Sequence, residues 1–332
     1  MGTKKIKIIA EIAQGFEGNS TYSNLFVKAA ASAGADAVKF QLVYADELAT
    51  PDYKYYELFK SLEMSDEVWK NISHLASENN IALHLDIFGE RSLQLAEQIG
   101  VEAVKIHGTD IANKRLLNLV SDTKIKQVIL GAGGALKSEI LVALDILKNK
   151  EIILLFGFQS YPTANEDNHI SRIRLAFDTF SKVNPNIKIG FADHANPETN
   201  IHLGLGAMAI GFGAVILEKH LTLAKSMKME DHESALNPDE FSEYVNFIHE
   251  CTSAIGVNTQ NNDFGMSESE LGYRKMIRRH VVTIDAISKG AVFTSDNLVL
   301  KRTSSNNALT NLDDVVGKIA TSSISSNSAV EL

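Results

Sequence analysis

Only one of the 332 residues is cysteine, Cys251, so no disulfide framework can staple the fold, and a reducing compartment suits the chain. Cys251 lies in "PDEFSEYVNFIHECTSAIG" and reads as helix packing, not as a nucleophile. Long apolar runs are missing as well. No stretch approaches a membrane span, and "MGTKKIKIIAEIA" has neither the apolar core nor the small-residue cleavage site of a secretory signal. Cytoplasmic residence without a membrane partner is the expectation. Positive charge is short too: 32 Lys and Arg stand against 41 Asp and Glu, a formal net charge of −9. That balance argues against nucleic acid or an acidic membrane as partner and leaves small molecules. A dinucleotide fingerprint is also absent. The glycine cluster "GAGGA" (131–135) neither follows the first strand nor keeps the required spacing, which makes an open doubly wound sheet the less favoured alternative.

What is present is a repeating pattern. Apolar residues make up 45% of the chain, enough for a sizeable core. Eight short runs rich in β-branched residues recur at 7–13, 37–43, 82–88, 103–108, 127–133, 152–158, 188–194 and 214–223. Between them lie segments such as "DEVWKNISHLASENN" and "KSEILVALDILKN", whose apolar residues return every three or four positions, as in helices. Eight strand–helix units in succession predict an α/β fold, a (β/α)8 TIM barrel over residues 1–256. The polar segment 257–275 then reads as a linker. Residues 276–332, with short strands in "HVVTID" and "NLVLKR", read as a small separate domain.

In such a barrel the C-terminal strand ends carry the chemistry, while the interior and the opposite face are committed to packing. Polar residues in or just after the runs are Glu11, Lys39, Gln41, His84, Asp86, Lys105, His107, Tyr161, Asp193, His194, Glu218, Lys219 and His220. Residues two apart share a strand face, so Lys39 goes with Gln41, His84 with Asp86, and Lys105 with His107. His194 and His220 end adjacent strands, where two neutral imidazoles can share one divalent ion and leave positions for substrate. Lys39 and Lys105 in one mouth repel each other unless an anion or carboxylate sits near them; Glu11 can meet that need and also serve as an acid–base group. Blander readings apply elsewhere. A lone strand histidine such as His84 is more often structural than a ligand, and Glu218 and Asp193 read first as partners of nearby cations. Asp231 and His232 read as solvated loop residues, and Asn237 and Pro238, with Asp239 and Glu240 behind them, as a helix start.

The stretches "IIAEIA" (8–13), "AGADAVKFQ" (33–41), "KIHGTDIAN" (105–113), "SYPT" (160–163), "GFADHA" (190–195), "EKHLTL" (218–223) and "EDHESALNPDE" (230–240) together resemble the sialic acid synthase (N-acetylneuraminate synthase) family. The tail "RRHVVTIDAISKGAVFTSDNLVLKR" resembles that family's antifreeze-like (SAF) domain, and the likeness runs nearly end to end. The resemblance implies a transferase that condenses phosphoenolpyruvate with an N-acetylated aminohexose to give a nonulosonic acid. His194 and His220 match the family's ligands for Mn2+, with Mg2+ or Co2+ as alternatives, an ion that orients and polarises the sugar aldehyde. Glu11 matches the first-strand glutamate, and Lys39 and Lys105 match the lysines that hold the enolpyruvate carboxylate. Sugar contacts carry over to Gln41, Asp110, Tyr161 and Asp231. Arg302 matches an arginine that reaches over the other subunit's barrel, which implies a domain-swapped homodimer.

The departures from the family pattern are concentrated around the phosphate. Its cradle of serines and an asparagine is matched here by Gly108, Gly131, Gln159 and Ala192, and Gln159 is kept as a substrate contact. The family's "STPF" becomes "LDIF" (85–88), placing Asp86 where an anion should sit, and "GFEGN" (15–19) replaces "NHNG". A carboxylate beside an anionic ligand costs roughly 1 to 4 kcal/mol at about 4 Å. Two enzyme activities fit. One is a synthase with a rebuilt phosphate pocket that uses His84, His107 or main-chain amides as donors. The other is a metal-dependent aldolase, lyase or isomerase acting on a related sugar or keto acid without phosphoenolpyruvate. There Asp86 and His107 become added catalytic groups, since proton transfer suits the pair. A non-catalytic sugar-binding protein is third, disfavoured because both histidines, Glu11 and both lysines are present.

Overall fold

The apolar runs become eight parallel strands that pair in chain order and close into a barrel. They are β1 (Lys7–Ala13), β2 (Ala37–Gln41), β3 (Ala82–Ile87), β4 (Ala103–Ile106), β5 (Gln127–Gly131), β6 (Glu151–Phe156), β7 (Lys188–Asp193) and β8 (Ile216–His220). The computed structural model describes residues 6–157, 160–256 and 265–331. Helices follow each strand, among them Ser20–Ser32 after β1, Asp66–Glu78 after β2 and Pro238–Ile255 after β8. Among the described residues no helix is long and apolar enough to cross a membrane.

Strand alternation divides the apolar residues between two cores. Ile8, Val38, Phe40, Leu85, Val104, Val128, Leu154, Phe191 and Leu217 point outward into the layer under the helices. Ile9, Ala37, Ala103, Ile129, Ile153 and Ile216 point inward and fill the lower part of the barrel. Above that apolar floor the inward positions turn polar, so the strands that build the core also carry the site. Helix starts follow their sequence signals. Asn19 Oδ1 accepts from Thr21 N at 2.9 Å, and Pro238 opens its helix behind Asn237, whose N–H donates to the Glu240 carboxylate at 2.8 Å.

Two differences from the sequence reading have local causes. The last run extends to 223, yet β8 stops at His220 because the chain is pulled aside there: Leu221 N donates to Glu11 O and Thr222 N to Leu236 O, both at 2.9 Å. The segment 257–275 is not simply a linker. Residues 257–264 lie outside the described residues, and Glu268–Ile277 forms a helix with no buried residue, capped by Ser267 Oγ accepting from Glu270 N at 3.1 Å. Without a buried face it has no apolar period to betray it.

The chain divides into two compact units after Gly256. In the second, β9 (His280–Thr283) and β10 (Leu298–Lys301) pair antiparallel over a small core of Val281, Phe293, Leu298, Val315 and Val330.

Candidate functional site

Inward positions on five strands place Glu11, Lys39, Asp86, Lys105 and Glu218 in one buried charged layer. Lys39 Nζ lies 2.7 Å from Asp86 Oδ1 and 3.5 Å from Glu218 Oε2, and it also pairs with Glu11. Lys105 Nζ lies 2.8 Å from Glu218 Oε1 and 3.7 Å from both Glu11 Oε2 and Asp86 Oδ2. Three carboxylates thus meet two ammonium groups away from water, and the site favours holding one proton more than its isolated members would. Burial pushes Glu11 up to about 8; Glu218 and Asp86 add to that push while Lys39 and Lys105 oppose it. Burial also pushes Glu218 upward, but Lys105 and Lys39 outweigh it and hold that carboxyl well below the usual range. Both lysines are held above their ordinary value, because the carboxylates overcome the burial that would discharge them. Burial thus favours the protonated form of Glu11, whereas the lysines favour the ionised form of Glu218. Glu11 Oε1 accepts from Ala13 N at 2.8 Å, which fixes its orientation at the end of β1.

Next to this layer, at the C-terminal ends of β7 and β8, the two imidazoles come together. The ring centres of His194 and His220 are 5.2 Å apart, with Tyr161 edge-on at 5.0 Å from one and 5.5 Å from the other. His194 is held by its carbonyl, which accepts from Thr163 N and Ser234 Oγ, each at 2.8 Å. Burial, then the neighbouring His194, keeps His220 well below its ordinary value, so its ring is neutral near pH 7. Asp231 Oδ2 lies 3.9 Å from His220 Nδ1, and burial pushes that carboxyl up to about 7, with Glu230 and Glu233 adding to it. A metal about 2.1 Å from one nitrogen of each of two imidazoles puts the ring centres roughly 5 Å apart. The pair therefore fits a divalent ion. Among the described residues no three His, Cys, Asp or Glu side chains are grouped to hold one, so the fit is to an open two-imidazole site and not a closed cage.

The rest of the mouth is more uneven. Gln41 accepts from Gln14 Nε2 at 2.8 Å, a partner that its position just past the first strand could have suggested. His107 pairs through Nδ1 with Thr109 Oγ1 at 3.1 Å; burial, then Lys105, holds it below its ordinary value. Asp110 accepts from Asn113 Nδ2 at 3.1 Å and borders a cleft of about 730 Å³ lined also by Asp46, Thr50, Tyr53, Phe59 and Thr109. A second cavity, about 510 Å³, opens at the opposite end of the barrel among Lys7, Gln127, Lys188 and Ile216, far from the charged layer.

Where glycines stand at the ends of β4, β5 and β6, backbone lies close against backbone. A Cβ on Gly131 would lie 2.8 Å from Gly108 N, one on Gly108 would lie 2.9 Å from Gly133 O, and one on Gly157 would lie 2.4 Å from Ala192 O. A Cβ at Gly108, Gly131 or Gly157 would strike neighbouring backbone, so these three positions offer a ligand only main-chain groups.

One expectation does not join the site. His84 shares its face with Asp86 but sits a layer deeper, where Nε2 meets Glu102 Oε1 at 3.2 Å; burial holds it below its ordinary value, and it cannot serve as a donor to ligand. Gln159 lies outside the described residues. Arg302 belongs to the second unit, where its Nε donates to Ile277 O at 3.3 Å. Glu218 and Asp193 are paired with cations as expected, Asp193 Oδ1 with Lys219 Nζ at 3.0 Å.

The NeuB family model matches residues 26–260 of this chain. N,N'-diacetyllegionaminic acid synthase of Legionella pneumophila is 28% identical over 331 residues, covering 93% of this chain and 89% of that one. N-acetylneuraminate-9-phosphate synthase of Homo sapiens is 26% identical over 309 residues, covering 89% and 82%. Among solved structures, the N-acetylneuraminic acid synthetase of Leptospira borgpetersenii aligns with a TM-score of 0.73 and 27% identity, over 82% of this chain and 92% of that one.

Proposed function

The chain belongs to the NeuB family, and from that premise we propose that it is a nonulosonic acid synthase, joining C3 of phosphoenolpyruvate to the aldehyde carbon of an open-chain N-acetylated aminohexose. The observation that carries the reading is the meeting of the Glu11, Lys39, Lys105 and Glu218 layer with the His194–His220 pair at one end of the barrel. In the condensation a carbon–carbon bond forms, the aldehyde oxygen takes a proton, and water adds at C2 as inorganic phosphate leaves. Lys39 and Lys105 supply the positive charge for the enolpyruvate carboxylate, and Glu11, whose protonated form burial favours, exchanges a proton with the reacting groups. Tyr161, Gln41, Asp110 and Asp231 surround the sugar, with Gln159, and Arg302 from the other subunit, as further contacts. A divalent ion, Mn2+ or else Mg2+ or Co2+, would be held by His194 and His220 and would polarise the aldehyde. The antifreeze-like character of the second unit, the homodimer and the cytoplasmic setting belong to the same proposal.

Incubation of the Mn2+-loaded protein with phosphoenolpyruvate and a panel of N-acetylated aminohexoses should release inorganic phosphate only when the right sugar is present. No release across the panel, with no binding of phosphoenolpyruvate, would remove the reading. Two observations favour a second activity. Asp86 already occupies both lysines, and the glycine rim offers no hydroxyl to a phosphate, as befits an aldolase, lyase or isomerase that dispenses with phosphoenolpyruvate. Turnover of a nonulosonic or keto acid without phosphate release would select it.

A further inference from the structure

Behind the imidazole pair lies a second buried ion pair with no place in the chemistry above. Asp193, the last residue of β7, and Lys219 of β8 are register partners, and both are fully buried. Their neighbours Ala192 and Glu218 face the barrel interior, so alternation turns Asp193 and Lys219 outward and His220 inward again. Asp193 Oδ1 lies 3.0 Å from Lys219 Nζ and also accepts from Ala195 N at 2.9 Å, while Lys219 Nζ donates to Ala195 O at 3.5 Å. One pair therefore ties together the residues on either side of His194 and the residue just before His220.

We propose that Asp193 and Lys219 are positioning residues, whose ion pair locks the ends of β7 and β8 in register and so fixes the separation and orientation of the two imidazoles. The inference rests on the reading of His194 and His220 as a metal pair. Removing two charges from water is costly, and apolar residues of similar volume commonly do as well or better for stability. Packing alone gives no reason for charge here. Asp193 Oδ2 has no hydrogen-bond partner among the described residues, so the desolvation is not even fully compensated. What the ions supply is direction: an N–H, a carbonyl and a neighbouring strand are all bound through one carboxylate and one ammonium group. On the far side, Thr163 N and Ser234 Oγ hold the His194 carbonyl, so the short segment 193–195 is fixed from both faces. Second-layer partners of this kind commonly change metal affinity about 10- to 100-fold.

The test compares wild type with D193L/K219M, which removes both charges and keeps the volume. Melting at or above the wild-type temperature is expected, together with Mn2+ affinity, titrated by electron paramagnetic resonance, lower by about tenfold or more. In the metal-free protein the ring 15N signals of His194 and His220 should shift or broaden. K219R, which keeps the charge, should retain affinity close to wild type. If the apolar pair does not fold, the neutral isosteres D193N/K219Q are measured in its place. A folded charge-free variant with wild-type Mn2+ affinity and unchanged ring signals overturns the proposal. If H194A leaves Mn2+ binding as in wild type, the metal reading fails instead, and the ring signals of the metal-free protein still decide whether the ion pair positions the histidines.

Discussion

Asp86 Oδ1 stands 2.7 Å from Lys39 Nζ and Oδ2 stands 3.7 Å from Lys105 Nζ, so a substrate carboxylate that approaches these lysines meets a charge of its own sign. Asp86→Thr should therefore tighten phosphoenolpyruvate binding by at least ~1 kcal/mol; calorimetry that finds no change would make Asp86 incidental. Glu11 gives a second prediction. Its folded value, about 8, lies above the 4.5 of an unperturbed glutamate, so the folded state binds more protons between those limits. The stability this contributes is complete below about pH 4.5 and lost as pH rises through 8. Glu11→Gln cannot lose that proton, so its melting temperature relative to wild type should climb from pH 5 to pH 8; a constant difference would show that Glu11 is ionised throughout. His194→Ala and His220→Ala should each abolish turnover while keeping a cooperative melt, and full activity in either would refute the ligand assignment. Sequence spacing made the inward face legible residue by residue, but not the depth along it. His84 and Asp86 share a face, yet one ends against Glu102 and the other among the lysines, a difference set by strand stagger.

Strands were the most legible elements, because each must bury β-branched residues on two sides and so leaves an apolar run. Their ends were less so: β8 stops where hydrogen bonds from Leu221 and Thr222 turn the chain, an interaction with distant residues that no local pattern records. The helix Glu268–Ile277 was illegible for the opposite reason, since it buries nothing. Gly108 and Gly131 appeared in the sequence as lost hydroxyl donors, whereas in the fold they are positions where a Cβ would strike neighbouring backbone. Gly131→Ala should accordingly cost about 1 to 3 kcal/mol through overpacking. A neutral effect in chemical denaturation would mean that the Gly108 backbone yields easily.

At the scale of the whole molecule, the order of eight strand–helix units could be read from the chain, because it follows from composition over many residues. Subunit association could not, since it depends on surfaces that carry no period. The proposed homodimer has a direct check: mixed dimers of His194→Ala and Arg302→Ala chains should recover activity that neither variant has alone if the arginine acts on the other subunit, and should stay inactive if it does not. The proposed activity is tested most directly by 13C NMR of a reaction containing Mn2+, [3-13C]phosphoenolpyruvate and an N-acetylated aminohexose labelled at C1. A one-bond coupling between the two labels in the product is the predicted result; labels that remain uncoupled, in unreacted substrates or in pyruvate, for every sugar tried would contradict it.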